Sequence, residues 1–166
     1  MNHTTVITPV GPLTIVVSST GEIRAAGFVT DLDQLPVPAG SLAGSTERRD
    51  LGQASKAVVA YLDGDLAALE SVPVTPWAGG AFVSQAWQAL RTIPAGQPVS
   101  YARLAALAGR PTAVRAAASA CARNPVALFV PCHRVLRADG RLGGYRWGLA
   151  VKRWLLNHET LAAAQA

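Results

Sequence analysis

The sequence predicts a mixed α/β fold of the α+β kind. An N-terminal antiparallel sheet with one helix precedes a C-terminal helical half that contains a helix-turn-helix. Three observations carry this. The first third holds β-rich runs separated by turn residues. The second half repeats apolar residues at spacings of 3 and 4, with capping and stop residues around them. Between the two the charge changes sign. Residues 1–80 hold four basic residues against eight acidic ones, whereas residues 81–166 hold eleven basic residues, ten of them arginine, against Asp139 and Glu159.

In chain order, "TTVITPVGPLTIVVSSTGEIRAAGFV" is three β-rich runs broken by P-V-G-P and S-T-G-E, which predicts an antiparallel meander. Residues 31–47 read as a Pro-, Gly- and Ser-rich loop. "DLGQASKAVVAYLDG" reads as a helix, with Asp50 as N-cap, Gly64 as stop and Val58, Tyr61 and Leu62 as its apolar stripe. "ALESVPVTP" is a candidate further strand, and "PWAGG", residues 76–80, a candidate linker. The domain boundaries expected from this are 1–77 and 81–161.

In the second half, Phe82, Ala86, Leu90 and Ile93 share one helical face, ended by Pro94. Ser100 can cap the next helix, which Gly109 ends. Thr112 can cap a following one, which Asn124-Pro125 ends. Two short helices around a Gly-containing turn have the shape of a helix-turn-helix. "VALFV" reads as a short buried strand and "RVLRADGRLGGY" as a hairpin around Asp139-Gly140. "GLAVKRWLLNHETLAAA" is the closing helix, with Leu149, Trp154 and Leu155 as core candidates.

No apolar stretch reaches the roughly 18 to 20 residues that span a bilayer, so no membrane association is expected. The N-terminus shows no basic then apolar export signal, and two cysteines make no disulfide framework. A cytoplasmic protein with reduced thiols is the expectation. The basic C-terminal half is the footprint of a polyanion partner, nucleic acid first.

The rarest reactive groups gather in "FVPCHRVL", residues 129–136. A zinc site needs about four ligands, and beyond Cys132 and His133 only Cys121, His3 and His158 are left, so no metal is expected. Two readings of Cys132 stay open: a buried small residue and a nucleophile. A nucleophilic cysteine needs a base or positive surroundings, which His133 and Arg134 supply. Neighbouring residues of a strand point to opposite faces, so Cys132 and His133 cooperate only in irregular backbone or through a water. An orienting acid completes such a site. Glu159 is the better of two candidates, although by spacing alone it reads as a solvated helix end.

The ordered pieces "PVSYARLAALAG", "AVRAAASACARNP", "VPCHRV" and "GYRWGLAVKRWLLNHE" resemble the O6-alkylguanine-DNA alkyltransferases. The likeness covers about residues 82–160. Within that family, S-A-C-A followed by G-Y-R-W-G looks closest to the C-terminal half of the bacterial adaptive-response members. The N-terminal half resembles the family only in its G-P-L-T hairpin and its β-then-helix order. It lacks the cluster of zinc-ligating cysteines that some relatives use.

The resemblance implies a ribonuclease H-like N-terminal domain and a C-terminal DNA-binding and alkyltransferase domain. It implies that Cys132 irreversibly takes an alkyl group from O6 of guanine, and from O4 of methylthymine, in double-stranded DNA, with no cofactor. The base chain runs from Cys132 through a water to His133 and then Glu159. The lesion is reached by flipping the base out through the minor groove, by a monomer. Arg115 matches the arginine that replaces the flipped base. Ala116, Ala117 and Ser119 match the small residues that approach the groove. Tyr101 matches a tyrosine that contacts the nucleotide phosphate and can protonate the leaving guanine. Asn124 matches the asparagine that braces the cysteine turn. Tyr145, Arg146, Trp147 and Val135 fall in the pocket region, and Trp147 is expected to narrow it. Cys121 reads as structural. The rival readings are a non-catalytic lesion-binding alkyltransferase-like protein, a helix-turn-helix regulator and a thiol hydrolase.

Overall fold

The computed structural model describes residues 1–165. It is a mixed α+β protein whose chain contacts divide it into two units: Met1–Trp77 with Pro125–Phe129, and Ala78–Asn124 with Val130–Ala166.

In the first unit, β1 (Asn2–Thr8), β2 (Gly11–Val17) and β3 (Ile23–Gly27) form the expected antiparallel meander. Leu13, Ile15 and Val16 are fully buried, and so is Thr14 between them. Its hydroxyl donates to the Val29 carbonyl at 2.6 Å, which removes the cost of burying a polar group there. A fourth strand, β4 (Thr46–Glu47), pairs in parallel with Asn2 and His3, inside the segment expected to be loop. Two residues of strand carry too little pattern to be seen in sequence.

The helix α1 (Gln53–Leu62) buries Val58 and Tyr61 as expected. Asp50 is not its N-cap. Its carboxylate accepts from the Gly52 amide at 2.7 Å, an Asx turn, and Gly52 takes the cap position at φ +69°. The expected strand at 68–76 is instead a 3₁₀ turn over Ala68–Ser71, followed by one isolated bridge from Val74 to Ile23.

"VALFV" is also corrected. Val126 makes one bridge to Ala26, and the chain then turns at Leu128, whose φ is +70°. The Phe129 amide bonds the Ala127 carbonyl at 2.8 Å, a tight turn rather than a ladder. Every residue of the segment is buried, so its apolar run marks burial and not strand geometry.

The second unit holds α2 (Ala81–Leu90), β5 (Val99–Ser100), α3 (Tyr101–Leu107), α4 (Val114–Ala122), β6 (Val135–Leu136) and α5 (Leu149–Ala164). Ala86, Leu90 and Ile93 are buried as the helical face requires. Ser100 caps α3, accepting from the Arg103 amide at 3.0 Å. Thr112 caps nothing: α4 begins one residue later than such a cap allows, with Ala113 in the cap position and no side-chain bond. The Trp87 indole donates to the Ala120 carbonyl at 2.9 Å and ties α2 to α4.

The Asp139-Gly140 turn forms, closed by bonds from Gly140 to Arg137 and from Arg137 to Arg141. No hairpin follows, because Val135 and Leu136 pair in parallel with Val99 and Ser100 instead. On α5, Leu155 is buried, but Leu149 is 48% exposed in the first turn of the helix and is no core residue. Among the described residues no helix is long and apolar enough to cross a membrane.

Candidate active site

Pro131 follows the buried apolar segment, and the chain closes into a single 3₁₀ turn over Cys132, His133 and Arg134. This is the irregular backbone that adjacent cysteine and histidine need in order to serve one site. All three residues are buried, Cys132 at 7% exposure and His133 at none. The Asn124 side-chain amide donates to the Val130 carbonyl at 2.8 Å and holds the approach to the turn.

From α5, Glu159 reaches this turn and is fully buried there, not solvated. His133 Nε2 lies 2.5 Å from Glu159 Oε1. Arg134 grips the same carboxylate, with Nε at 3.1 and 3.0 Å from its two oxygens and Nη2 at 3.0 Å from Oε1. Its Nη1 donates to the Ile93 carbonyl at 2.7 Å. The forked geometry of a guanidinium suits a buried carboxylate better than a point charge does.

Burial works against ionising Glu159, but the His133 ring and Arg134 outweigh it and hold the carboxyl at about 2. Burial pushes the His133 imidazole below its ordinary value in spite of Glu159, so the ring is neutral at pH 7. In that state Nε2–H donates to Glu159 and Nδ1 is a lone-pair acceptor. Nδ1 is buried and meets no protein partner. Burial pushes the Cys132 thiol up, while the Asn124 side chain and the charges of Lys152 and Arg146 pull it back. A thiol so placed needs a base to become the nucleophile.

Cys132 opens onto a cavity of about 420 Å³. Its wall is formed by Tyr101 from α3, by Ala118, Cys121 and Ala122 from α4, by Asn124, and by Gly144, Tyr145, Arg146 and Trp147 from the loop before α5. Gly143 is demanded by this wall. Its φ is +69°, and a Cβ there would meet the Tyr101 hydroxyl at 2.9 Å.

Sequence reasoning missed Lys152. It is fully buried, and its ammonium donates to the carbonyls of Val135 at 2.8 Å, Leu142, and Gly144 at 3.2 Å. The signal was present. Lys152, Leu155 and Glu159 follow the 3 and 4 spacing of one helical face.

Residues 81–161 match the family model for the 6-O-methylguanine DNA methyltransferase, DNA binding domain. The methylated-DNA–protein-cysteine methyltransferase of Salmonella typhimurium is 36% identical over 163 residues, which cover 93% of this chain and 92% of that one. This chain belongs to that methyltransferase family. The human protein of the same name is 37% identical, covering 96% of this chain and 80% of its own. The bifunctional transcriptional activator/DNA repair enzyme Ada of Escherichia coli is 60% identical over 81 residues, and the match spans only 23% of its length. The solved structure of Mycobacterium tuberculosis OGT in complex with DNA superposes with a TM-score of 0.83 at 32% identity, over 98% of this chain and 94% of that one.

Against the residues expected for a methyltransferase of this family, the structure gathers Cys132, His133 and Glu159 in one turn-and-helix contact and places Tyr101, Asn124, Tyr145, Arg146 and Trp147 on the cavity. Val135 is buried but does not line the cavity; its carbonyl serves Lys152 instead. On α4, Arg115, Ala116 and Ser119 are at least partly exposed, though Ala118 between them turns to the cavity. Ala117 is not exposed: it and Ala120 are fully buried, one helical turn apart, facing inward. Cys121, read as structural, lines the cavity wall. Burial of Tyr101, reinforced by Cys121 and Cys132, pushes its hydroxyl up to about 12, so it is a donor at neutral pH. Among the described residues no three His, Cys, Asp or Glu side chains group to hold a metal ion.

Proposed function

We propose that this protein repairs DNA by direct reversal. It transfers the alkyl group of O6-alkylguanine, and of O4-methylthymine, in duplex DNA to Cys132, once per molecule. The observation that carries this is Cys132 on a cavity wall, next to a neutral His133 locked at 2.5 Å to Glu159. The family of cysteine methyltransferases to which the chain belongs supports it.

In this scheme the Cys132 proton passes through a water to His133 Nδ1, and Glu159 stabilises the imidazolium that forms. Sγ attacks the alkyl carbon, the C–O6 bond breaks, and its electron pair leaves on guanine. Tyr101 supplies a proton to that leaving group and regains one from the imidazolium, so that in sum the thiol proton ends on guanine. The thioether formed has no polarised bond for water to attack, so turnover stops at one. No cofactor enters the scheme.

The DNA-binding reading rests on α3 and α4 as a helix-turn-helix, with Arg115, Ala116 and Ser119 reaching solvent on α4. Arg115 fills the stack when the base is flipped, and the small residues approach the minor groove. Residues 81–161 form the DNA-binding and alkyltransferase domain, and residues 1–77 a ribonuclease H-like domain. The protein acts as a cytoplasmic monomer. The relative OGT is solved with DNA.

Intact and peptide mass after mixing with duplex DNA carrying one O6-methylguanine tests this. One methyl on the Cys132 peptide, never more than one per protein, is expected, with none in Cys132→Ala. Lesion binding with an unmodified Cys132 would mean a protein that marks damage without reversing it.

A further inference from the structure

The cavity beside Cys132 has an uneven charge. Among the described residues nothing on its wall is acidic. The nearby carboxylate of Glu159 is already taken by His133 and Arg134. Two cations bear on the space. Lys152 is buried behind the wall, giving its N–H groups to the carbonyls of Val135, Leu142 and Gly144, a set only a protonated amine satisfies. Arg146 lies on the wall itself, and its Nη2 donates to the Ala122 carbonyl at the end of α4 at 3.0 Å. Among the described residues its other N–H groups meet no protein acceptor.

We infer that Arg146 is a specificity-determining residue that admits alkyl adducts ending in an acidic group, of which O6-carboxymethylguanine is the simplest. The inference rests on the alkyl-transfer reading above and names a substrate class for the same site. A guanidinium anchored through one nitrogen still offers a fork of donors, the geometry that pairs with a carboxylate through two parallel bonds. Adduct and thiolate each bring one negative charge to the cavity, and Arg146 and Lys152 offset them. The charges of both cations already pull the Cys132 thiol down against its burial. Without Arg146, a carboxylate entering this wall would lose water and gain no charged partner on it.

The chemistry balances as it does for a methyl group. Sγ of Cys132 bonds the adduct methylene, the methylene–O6 bond breaks with its pair going to guanine, and the thiol proton replaces the lost group on the base. The product is S-carboxymethylcysteine and unmodified guanine.

The test compares single-turnover rates on three duplexes carrying O6-methyl-, O6-carboxymethyl- and O6-carboxamidomethylguanine. The last two have the same shape and differ in charge, so the steric filter of Trp147 acts on both alike. The expected result is faster transfer of the carboxymethyl group than of its amide, by about fivefold to tenfold, the range of a partly exposed charge-assisted pair. Arg146→Met should bring that ratio to about one, and Arg146→Lys should keep part of it. A native ratio of one or below, or a ratio unchanged in Arg146→Met, overturns the inference. Absence of transfer from the methyl duplex overturns the underlying reading instead. Should a variant fail to fold, binding of the two isosteric duplexes to Cys132→Ala protein at rising salt decides the same point. Preference for the acid that fades with salt supports the inference, and no preference sinks it.

Discussion

His133 Nε2 and Glu159 Oε1 stand 2.5 Å apart, both fully buried, and Arg134 holds the second oxygen of the same carboxylate at 3.0 Å. Glu159 therefore has two jobs. It orients the imidazole, and it neutralises a guanidinium whose remaining bond goes to the neutral Ile93 carbonyl. Removing one partner of a buried ion pair leaves the other charge stranded, which costs about 3 to 5 kcal/mol. Glu159→Gln should lose stability of that order in urea denaturation and should slow single-turnover transfer. A variant that melts like the native protein would mean that Arg134 finds another partner.

The same pair sets the response to acid. The folded His133 binds its proton less readily than an ordinary imidazole at 6.5, so folding opposes protonation. Stability present above 6.5 is lost as pH falls below it. Glu159 acts with the same sign lower down: ionised in the fold, with its carboxyl at about 2 against an ordinary 4.5, it stabilises above 4.5 and loses this as pH falls toward 2. Unfolding free energy should be flat from neutral pH to about 6.5 and then decline. The acid flank of the transfer rate should lie below 6.5, because His133 remains a base there. A flank above 6.5 would contradict the neutral ring.

Lys152 ties the carbonyls of Val135, Leu142 and Gly144 together and lowers the Cys132 thiol through its charge. Lys152→Met should release three carbonyls and cost at least about 3 kcal/mol, since each unsatisfied group costs about 1 to 3. It should also raise the pH needed for Cys132 to react with a small neutral alkylating reagent. An unchanged thiol pH profile would reduce Lys152 to a packing role.

Trp147 stands on the cavity wall. Trp147→Gly should speed transfer of a benzyl group more than of a methyl group, because the volume removed faces the adduct. Single-turnover rates on the two lesions measure this. Equal native rates on benzyl and methyl lesions would show that the indole does not limit the space.

The meander, the Ser100 cap and the order of the helices were legible because they rest on short-range rules: period, capping and turn chemistry. Cys132, His133 and the basic half were legible because rare residues and charge are counted without a fold. The failures share one cause. Thr112 and Asp50 carry the right side chains for caps, but the backbone chose Ala113 and Gly52. "VALFV" was rightly apolar and wrongly a strand, since burial comes from packing on all sides and turning at Leu128 leaves it intact.

By itself, then, the sequence determined most of the element types, the placing of a reactive thiol beside a base, and the sign of the charge around them. Only the tertiary structure decided which groups share a space. Glu159 lies 26 residues from His133, and nothing local distinguishes it from a solvated helix end. Packing α5 against the cysteine turn buries it, and burial turns an ordinary carboxylate into the partner of His133 and Arg134. Packing between other segments turned Ala117 inward, put Cys121 on the cavity wall and closed Lys152 onto three carbonyls. Which side chains leave water is settled by contacts between distant segments, and it is the loss of water that sets their charge, their partners and their chemistry.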